Sequence, residues 1–168
     1  MRHGQGCHRA CCRRFLSSPA IARAEGAIVA CGGGRPAGFA GNYVEPTLYI
    51  GAAQSMRIAR EEIFGPVLSI IPYDTIEEAI AIANGTVYGL GAHVQGTDMA
   101  QARTVARRIR SGQVHINYPA WDPQAPFGGY KNSGIGRESG LHAIDEYLQT
   151  KSVWINTALE TPNPFALR

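Results

Sequence analysis

The chain has 168 residues, of which 45% are hydrophobic and 17% charged, a balance typical of a globular domain rather than a disordered chain. No apolar run approaches the roughly 20 residues that a transmembrane helix needs, so we expect no membrane-spanning segment. The net charge of +3 is small, and no basic cluster follows residue 24, so the sequence does not indicate nucleic-acid binding.

The first 24 residues differ in composition from the rest of the chain. They contain five arginines, three of the four cysteines and no acidic residue, whereas the remainder carries 11 basic and 13 acidic residues. They lack the apolar stretch of a secretory signal and show no clear periodicity. Because their arginines repel one another, we expect residues 1–24 to be an atypical, poorly ordered segment.

Beyond this segment, short apolar runs alternate with helical patterns. The clearest helix begins after Thr75, which forms a capping-box pattern with Glu78, and ends at Gly85. The alternation predicts an α/β fold with a mainly parallel sheet. Strands are predicted at residues 27–31, 67–71, 88–94, 113–116 and 152–155, and helices at 56–61, 76–84, 98–111 and around 141–148.

Neither the glycines nor the cysteines indicate a familiar site. The Gly-x-Gly pairs at 32–34, 89–91 and 134–136 lack the spacing and the following acid of a dinucleotide fingerprint. The cluster of His3, Cys7, His8, Cys11 and Cys12 lacks paired C-x-x-C knuckles, so we predict no metal site. So few cysteines do not form a disulfide scaffold, which favours a cytoplasmic location.

Two adjacent acids, Glu61 and Glu62, stand before a charged turn that leads into a predicted strand. They could simply solvate the end of a short helix, with Phe64 anchoring the loop. Alternatively, a carboxylate at this place could accept hydrogen bonds from sugar hydroxyls, as acids do in nucleotide sites. The residue types alone favour the first interpretation.

Several motif blocks bear on this choice. They are Glu45–Thr47, Ala59–Val67, Asn84, Tyr88–Leu90, Gly112–Asn117, Pro126–Lys131, Ser133–Gly134 and Gly136–Glu138. Together they resemble, in order, the C-terminal part of NAD(P)-dependent aldehyde dehydrogenases. The resemblance runs from about Glu25 to Asn156, so the chain looks like part of a catalytic domain followed by an oligomerisation strand.

This resemblance implies roles for individual residues. Glu62 would hold the nicotinamide ribose hydroxyls of NAD or NADP, and Phe64 would pack near the nicotinamide. Asn117 and Phe127 would belong to the substrate tunnel, with Phe127 walling an apolar aldehyde pocket. The final strand would join a sheet across subunits.

The nucleophilic cysteine of the family follows a Gly-Gln-x-Cys motif, which Gly4–Cys7 matches. Cys7 is therefore a candidate nucleophile that would form a covalent adduct with the aldehyde. The sequence after it departs from the family pattern, because Cys12 stands where the family has an arginine. Nothing in the chain resembles the family's N-terminal cofactor domain, which carries the general base and the oxyanion-hole asparagine.

Two functions therefore remain open. The chain could be an aldehyde dehydrogenase-like oxidoreductase that uses NAD(P)+, or a non-catalytic fragment that pairs with a full-length homologue. In either case the isolated chain is expected to be inactive and to form homo-oligomers or mixed ones. We expect a partial catalytic domain at residues 25–148 and the oligomerisation strand and tail at 149–168.

Overall fold

A computed structural model describes residues 4–5 and 9–157. The strands are β1 (Gly4–Gln5), β2 (Ile28–Cys31), β3 (Tyr43–Val44), β4 (Thr47–Ile50), β5 (Val67–Ser69), β6 (Gly91–Val94) and β7 (Gln113–Ile116). The α-helices are α1 (Arg9–Ala24), α2 (Arg57–Arg60), α3 (Ile76–Asn84) and α4 (Met99–Arg108). Two 3₁₀ turns follow at Lys131–Ser133 and Leu141–Tyr147.

The strands pair in small sheets of mixed direction. β2, β4 and β5 form one sheet in that order, in which β4 is antiparallel to β2 and parallel to β5. β6 and β7 form a parallel pair, and β1 pairs with β3 in the antiparallel sense. The α/β prediction is confirmed. The predicted parallel pairing holds for β4–β5 and β6–β7, but β2 runs the other way.

Helix α1 gives residues 9–24 a regular structure, whereas the sequence predicts a poorly ordered segment over the whole of residues 1–24. Cys12, Phe15 and Ala22 are buried at spacings of three and seven residues, which places them on one helical face. Arg13, Arg14 and Arg23 are exposed, so their repulsion is screened by solvent. This stripe is hard to recognise in the sequence because Pro19 lies within the helix.

The structure accommodates Pro19 through its neighbour. Proline lacks the N–H that would bond to the Phe15 carbonyl in a regular helix. The Ser18 hydroxyl donates to that carbonyl instead, at 2.7 Å. The Ser18 oxygen lies 2.6 Å from the Tyr49 hydroxyl of β4, so the same side chain links α1 to the sheet.

The capping pattern predicted for α3 is present, and α4 lies within the predicted range 98–111 but ends at Arg108. The Thr75 hydroxyl accepts from the Glu78 N–H at 3.1 Å, and the Glu78 carboxylate accepts from the Asp74 N–H at 2.8 Å. Gly85 ends α3 as predicted. Asp98 caps α4 through the N–H groups of Ala100 and Gln101.

The C-terminal stretch differs from its prediction. The helix expected around residues 141–148 is a 3₁₀ turn, and its Leu141 side chain is 83% exposed. The residues predicted as the last strand, 152–155, form no ladder with any described residue, and Trp154 is 92% exposed. A strand needs a partner for its backbone groups, so the pairing strand stays a prediction. None of the described helices is long and apolar enough to cross a membrane.

Candidate functional site

The two adjacent acids after α2 have different surroundings. Both carboxylate oxygens of Glu61 accept from the Arg57 guanidinium, at 2.8 and 3.1 Å. These hydrogen bonds lower the pKa of Glu61 and raise that of Arg57. The Glu61 carboxylate is therefore already paired with Arg57, and its role is structural, at the end of α2.

The carboxylate of Glu62 makes no hydrogen bond or ion pair within the described part of the chain. Its backbone carbonyl accepts from the Arg14 guanidinium of α1 at 3.0 Å, which fixes the main chain at this point. The side chain is exposed. Of the two acids, only Glu62 is thus available to a ligand.

Glu62 lines a cleft of about 500 Å³, within the size range of small-molecule sites. The opposite wall is formed by Thr86 and residues 88–92 and by residues 109–111, which precede β7, with Asn132 and Ser133 also contributing. The cleft therefore lies between the end of α2 and the amino ends of β6 and β7.

Residues 130–133 hold the opposite wall in place through hydrogen bonds to residues 84–89, a set of contacts that we call the clasp. The Tyr130 and Asn132 N–H groups donate to the Gly89 and Val87 carbonyls, and the Ser133 hydroxyl accepts from the Gly89 N–H at 3.0 Å. The Lys131 ammonium donates to the Asn84 and Thr86 carbonyls at 2.9 and 3.0 Å. Tyr130, Lys131 and Ser133 belong to the motif blocks of the resemblance, for which no individual role was predicted.

Phe64 lies near Glu62 in the chain but faces a neighbouring cleft. Its φ of 59° is in the left-handed region, which few non-glycine residues adopt outside special turns. The ring is 64% exposed and borders a space with Ile63 and Leu68 that Glu62 also lines. Glu62 thus borders three neighbouring spaces, and Phe64 borders only this one of them.

The structure does not bring Asn117 and Phe127 to the Glu62 cleft. The Asn117 side chain accepts from the Gly96 N–H at 3.0 Å and donates to the Gly96 carbonyl at 2.8 Å. This pairing joins the segments that follow β6 and β7. Phe127 is half-buried and forms a two-way backbone bridge with Glu138. Cys7 lies outside the described residues.

Comparisons with known proteins agree on one family. The sequence profile described as the aldehyde dehydrogenase family matches residues 3–153. Aldehyde dehydrogenase 1 of Tanacetum cinerariifolium is 46% identical over 153 residues, which are 90% of this chain and 30% of that protein. The match begins before α1 and so extends further towards the N-terminus than the expected start at Glu25.

Solved structures give the same result. A mutant aldehyde dehydrogenase C from Pseudomonas syringae, in complex with NAD+ and octanal, matches with a TM-score of 0.84 and 58% identity. That match covers 88% of this chain and 31% of the other. Betaine aldehyde dehydrogenase from Staphylococcus aureus, in complex with NAD+, matches with a TM-score of 0.88 and 39% identity, covering 96% of this chain and 33% of that one. The chain thus spans about a third of the length of these relatives.

Proposed function

The chain belongs to the aldehyde dehydrogenase family, and on this premise we propose that it supplies the ribose-binding part of an NAD(P)-dependent aldehyde dehydrogenase. The observation that carries the proposal is the contrast between Glu61 and Glu62. Arg57 holds the first carboxylate, whereas the second is exposed and unpaired among the described residues at the edge of a ligand-sized cleft.

The residues at this cleft fit a ribose. An ionised carboxylate can accept from two vicinal hydroxyls, and such charge-assisted bonds are the stronger class. Glu62 would hold the sugar, and the clasped residues 86–90 would form the facing wall. A bound nicotinamide would supply the hydride acceptor for oxidation of the aldehyde, and water would supply the second oxygen of the carboxylate. Because Arg14 and Arg57 hold the backbone and the neighbouring acid, the Glu62 side chain is presented without competing contacts.

The remaining assignments are part of the same proposal. Cys7 would be the nucleophile, Phe64 would pack near the nicotinamide, and Phe127 with Asn117 would border the aldehyde tunnel. Asn117 would contribute by fixing the loop that carries it, since its side chain makes two hydrogen bonds to Gly96. Cys11, Cys12 and Cys31 are free thiols, which supports a cytoplasmic location.

A pairing role is the second candidate, and exposed apolar side chains favour it. Val153, Trp154 and Ile155 are 76%, 92% and 78% exposed, respectively. A contiguous apolar segment of this kind marks an association surface. We therefore propose that the chain forms homo-oligomers or pairs with a full-length homologue, and that it does not turn over aldehydes by itself.

The test has two arms. The 168-residue segment alone is assayed for NADH formation with aliphatic and aromatic aldehydes. No turnover is expected, because catalysis needs nucleophile, base, oxyanion donors and bound cofactor held together. Turnover that disappears in Cys7→Ala would contradict inactivity and make Cys7 a working nucleophile.

In the second arm, residues 9–157 replace the matching segment of the Pseudomonas syringae enzyme. We expect the chimera to oxidise octanal. Glu62→Gln should lower kcat/KM by about 10- to 100-fold, the value of a charged hydrogen bond. Glu61→Gln, the matched control, should stay within about twofold because Arg57 already occupies that carboxylate. Equal effects of the two substitutions, or a folded but inactive chimera, would refute the proposal.

A further inference from the structure

Two histidines lie side by side on the β6–β7 pair. His93 and His115 are partners in the parallel register, so both project from the same face of the sheet. Their ring centroids are 5.0 Å apart and the ring planes differ by 19°. His93 is exposed and His115 half-buried, so ions in solvent can reach this face.

The separation of the rings suits two ligands on one ion. Zinc binds imidazole nitrogen at about 2.0–2.1 Å, and two imidazoles on one tetrahedral ion therefore have centroids roughly 5 Å apart. Both nitrogens reach a common point after rotation about the terminal χ2 torsion, which is soft in histidine. The backbone need not move, because the strand register already sets the spacing.

Two side chains contact the pair. Tyr118 flanks His93 with its ring centroid 5.4 Å away. The Gln113 side-chain oxygen lies at hydrogen-bond distance, 3.5 Å, from Nε2 of His115, so an ion at that nitrogen would replace this contact. The described residues contain no cluster of three or more His, Cys, Asp or Glu side chains suited to a metal. An ion here would take two imidazoles from the chain and complete its shell with water.

We propose that His93 and His115 form a two-imidazole binding site for a late divalent transition ion, Zn²⁺ or Ni²⁺, on the open face of the β6–β7 pair. Imidazole nitrogen is a preferred ligand of these ions. The site is independent of the Glu62 cleft. Sequence spacing could not indicate it, because the two histidines are far apart in the chain and only the register joins them.

The experiment titrates the full chain with Ni²⁺, whose paramagnetism broadens the NMR signals of bound imidazoles. The signals of His93 and His115 should broaden together, with an apparent affinity at least about tenfold above that of His142, because the second ligand binds at a high effective concentration. His142 is an exposed histidine of the same chain and serves as the internal control. A site-resolved signal also separates this pair from ions bound at the cysteines.

The control variant is His93→Phe, which keeps an aromatic ring against His115 but removes its nitrogens. It should reduce the Ni²⁺ response of His115 to that of His142, whereas His142→Ala should leave the pair unchanged. If His93 and His115 respond no earlier than His142 in the unmodified chain, the pair is only an aromatic stack and the proposal is overturned. An unchanged His115 response in His93→Phe would overturn it equally.

Discussion

The α1 region and the C-terminal stretch differ sharply in how they bury apolar side chains. Phe15 of α1 and Tyr49 of β4 are 1% and 0% exposed, and they belong to neighbouring core clusters. In residues 141–155, by contrast, Leu141 and Trp154 are 83% and 92% exposed. One region finds its partners within the described chain, and the other does not.

The difference shows that a match to family motifs does not determine whether a segment is buried. Residues 9–24 carry none of the motifs that we quoted for the resemblance, yet they pack because β3 and β4 lie beside them. The C-terminal stretch follows the best-matched blocks but has no described strand to pair with. Local sequence signals therefore set which segments can become helices or strands, while the available partners decide which of them are buried.

The largest expected effect tests whether α1 really belongs to the core. Phe15→Ala removes a buried ring that contacts the Gly65 turn, and should lower the free energy of unfolding by about 3–5 kcal/mol, as other Phe-to-Ala core changes do. Urea unfolding followed by circular dichroism measures it. Leu141→Ala, at an exposed position, should change stability by less than about 0.5 kcal/mol.

Equal losses of unfolding free energy in Phe15→Ala and Leu141→Ala would show that the two regions do not differ in burial. Hydrogen exchange gives an independent check, because the amides of α1 should be protected in the unmodified chain. Fast exchange throughout residues 13–23 would restore the expectation of a poorly ordered N-terminal segment.

The second prediction concerns Lys131, which joins the C-terminal blocks to residues 84–86. Lys131→Met keeps the length of the side chain but removes the donor to two carbonyls, and should cost about 1.5–3 kcal/mol of unfolding free energy. Lys151→Met is the matched control, since Lys151 is exposed and lies beyond the clasp. Thermal unfolding of both variants measures the difference, and an equal shift in Tm would show that the clasp does not stabilise the chain.

A smaller effect is expected where Ser18 connects α1 to Tyr49. Ser18→Ala leaves the buried Tyr49 hydroxyl without this partner and should cost about 1–3 kcal/mol. Tyr49→Phe removes the hydroxyl itself, while Ser18 keeps its bond to the Phe15 carbonyl, so the cost should be only about 0.5–1.5 kcal/mol. Chemical denaturation of the two variants decides the order, and a larger loss for Tyr49→Phe would contradict this arrangement.

Stability measured at alkaline pH tests the role of Tyr49 without replacing a core residue. Burial raises the pKa of Tyr49, against smaller lowering effects of the Ser18 hydrogen bond and the Arg23 charge. Because the folded state holds this proton more tightly, its contribution to stability is complete below about pH 10 and is lost as the pH rises through the folded pKa. Unfolding free energy should therefore fall above about pH 10. This part of the decline should be missing in Tyr49→Phe.

Much of the fold could be predicted from local signals. Three features each depend on a few neighbouring residues, and the structure has all of them. They are the N-cap of α3 at Thr75, the end of α3 at Gly85 and strand β7. α1 was missed because Pro19 lies inside it, and the contact between the Ser18 and Tyr49 hydroxyls that ties this helix to the sheet is a tertiary detail, invisible to periodicity. The antiparallel direction of β2 was also missed, since strand direction depends on the path of the connecting chain.

The resemblance proposes residues for the candidate site, but the sequence does not give their arrangement. The resemblance named Glu62 over Glu61, but only the Arg57 contacts give a physical reason to separate two adjacent identical residues. The clasp of residues 86–89 by the Lys131 block could not be derived from sequence, because it joins segments more than 40 residues apart. The histidine pair is likewise a product of register.

The substitution Trp154→Ala should have the smallest effect on stability but a clear effect on self-association. Trp154→Ala removes a side chain that is almost fully exposed and should change the unfolding free energy by less than about 0.5 kcal/mol. The same change should reduce self-association and the binding of a hydrophobic dye, because large exposed apolar side chains drive both. Size-exclusion chromatography over a concentration series measures the first. A large loss of stability with unchanged association would place Trp154 in a core and remove the contrast between the C-terminal stretch and α1.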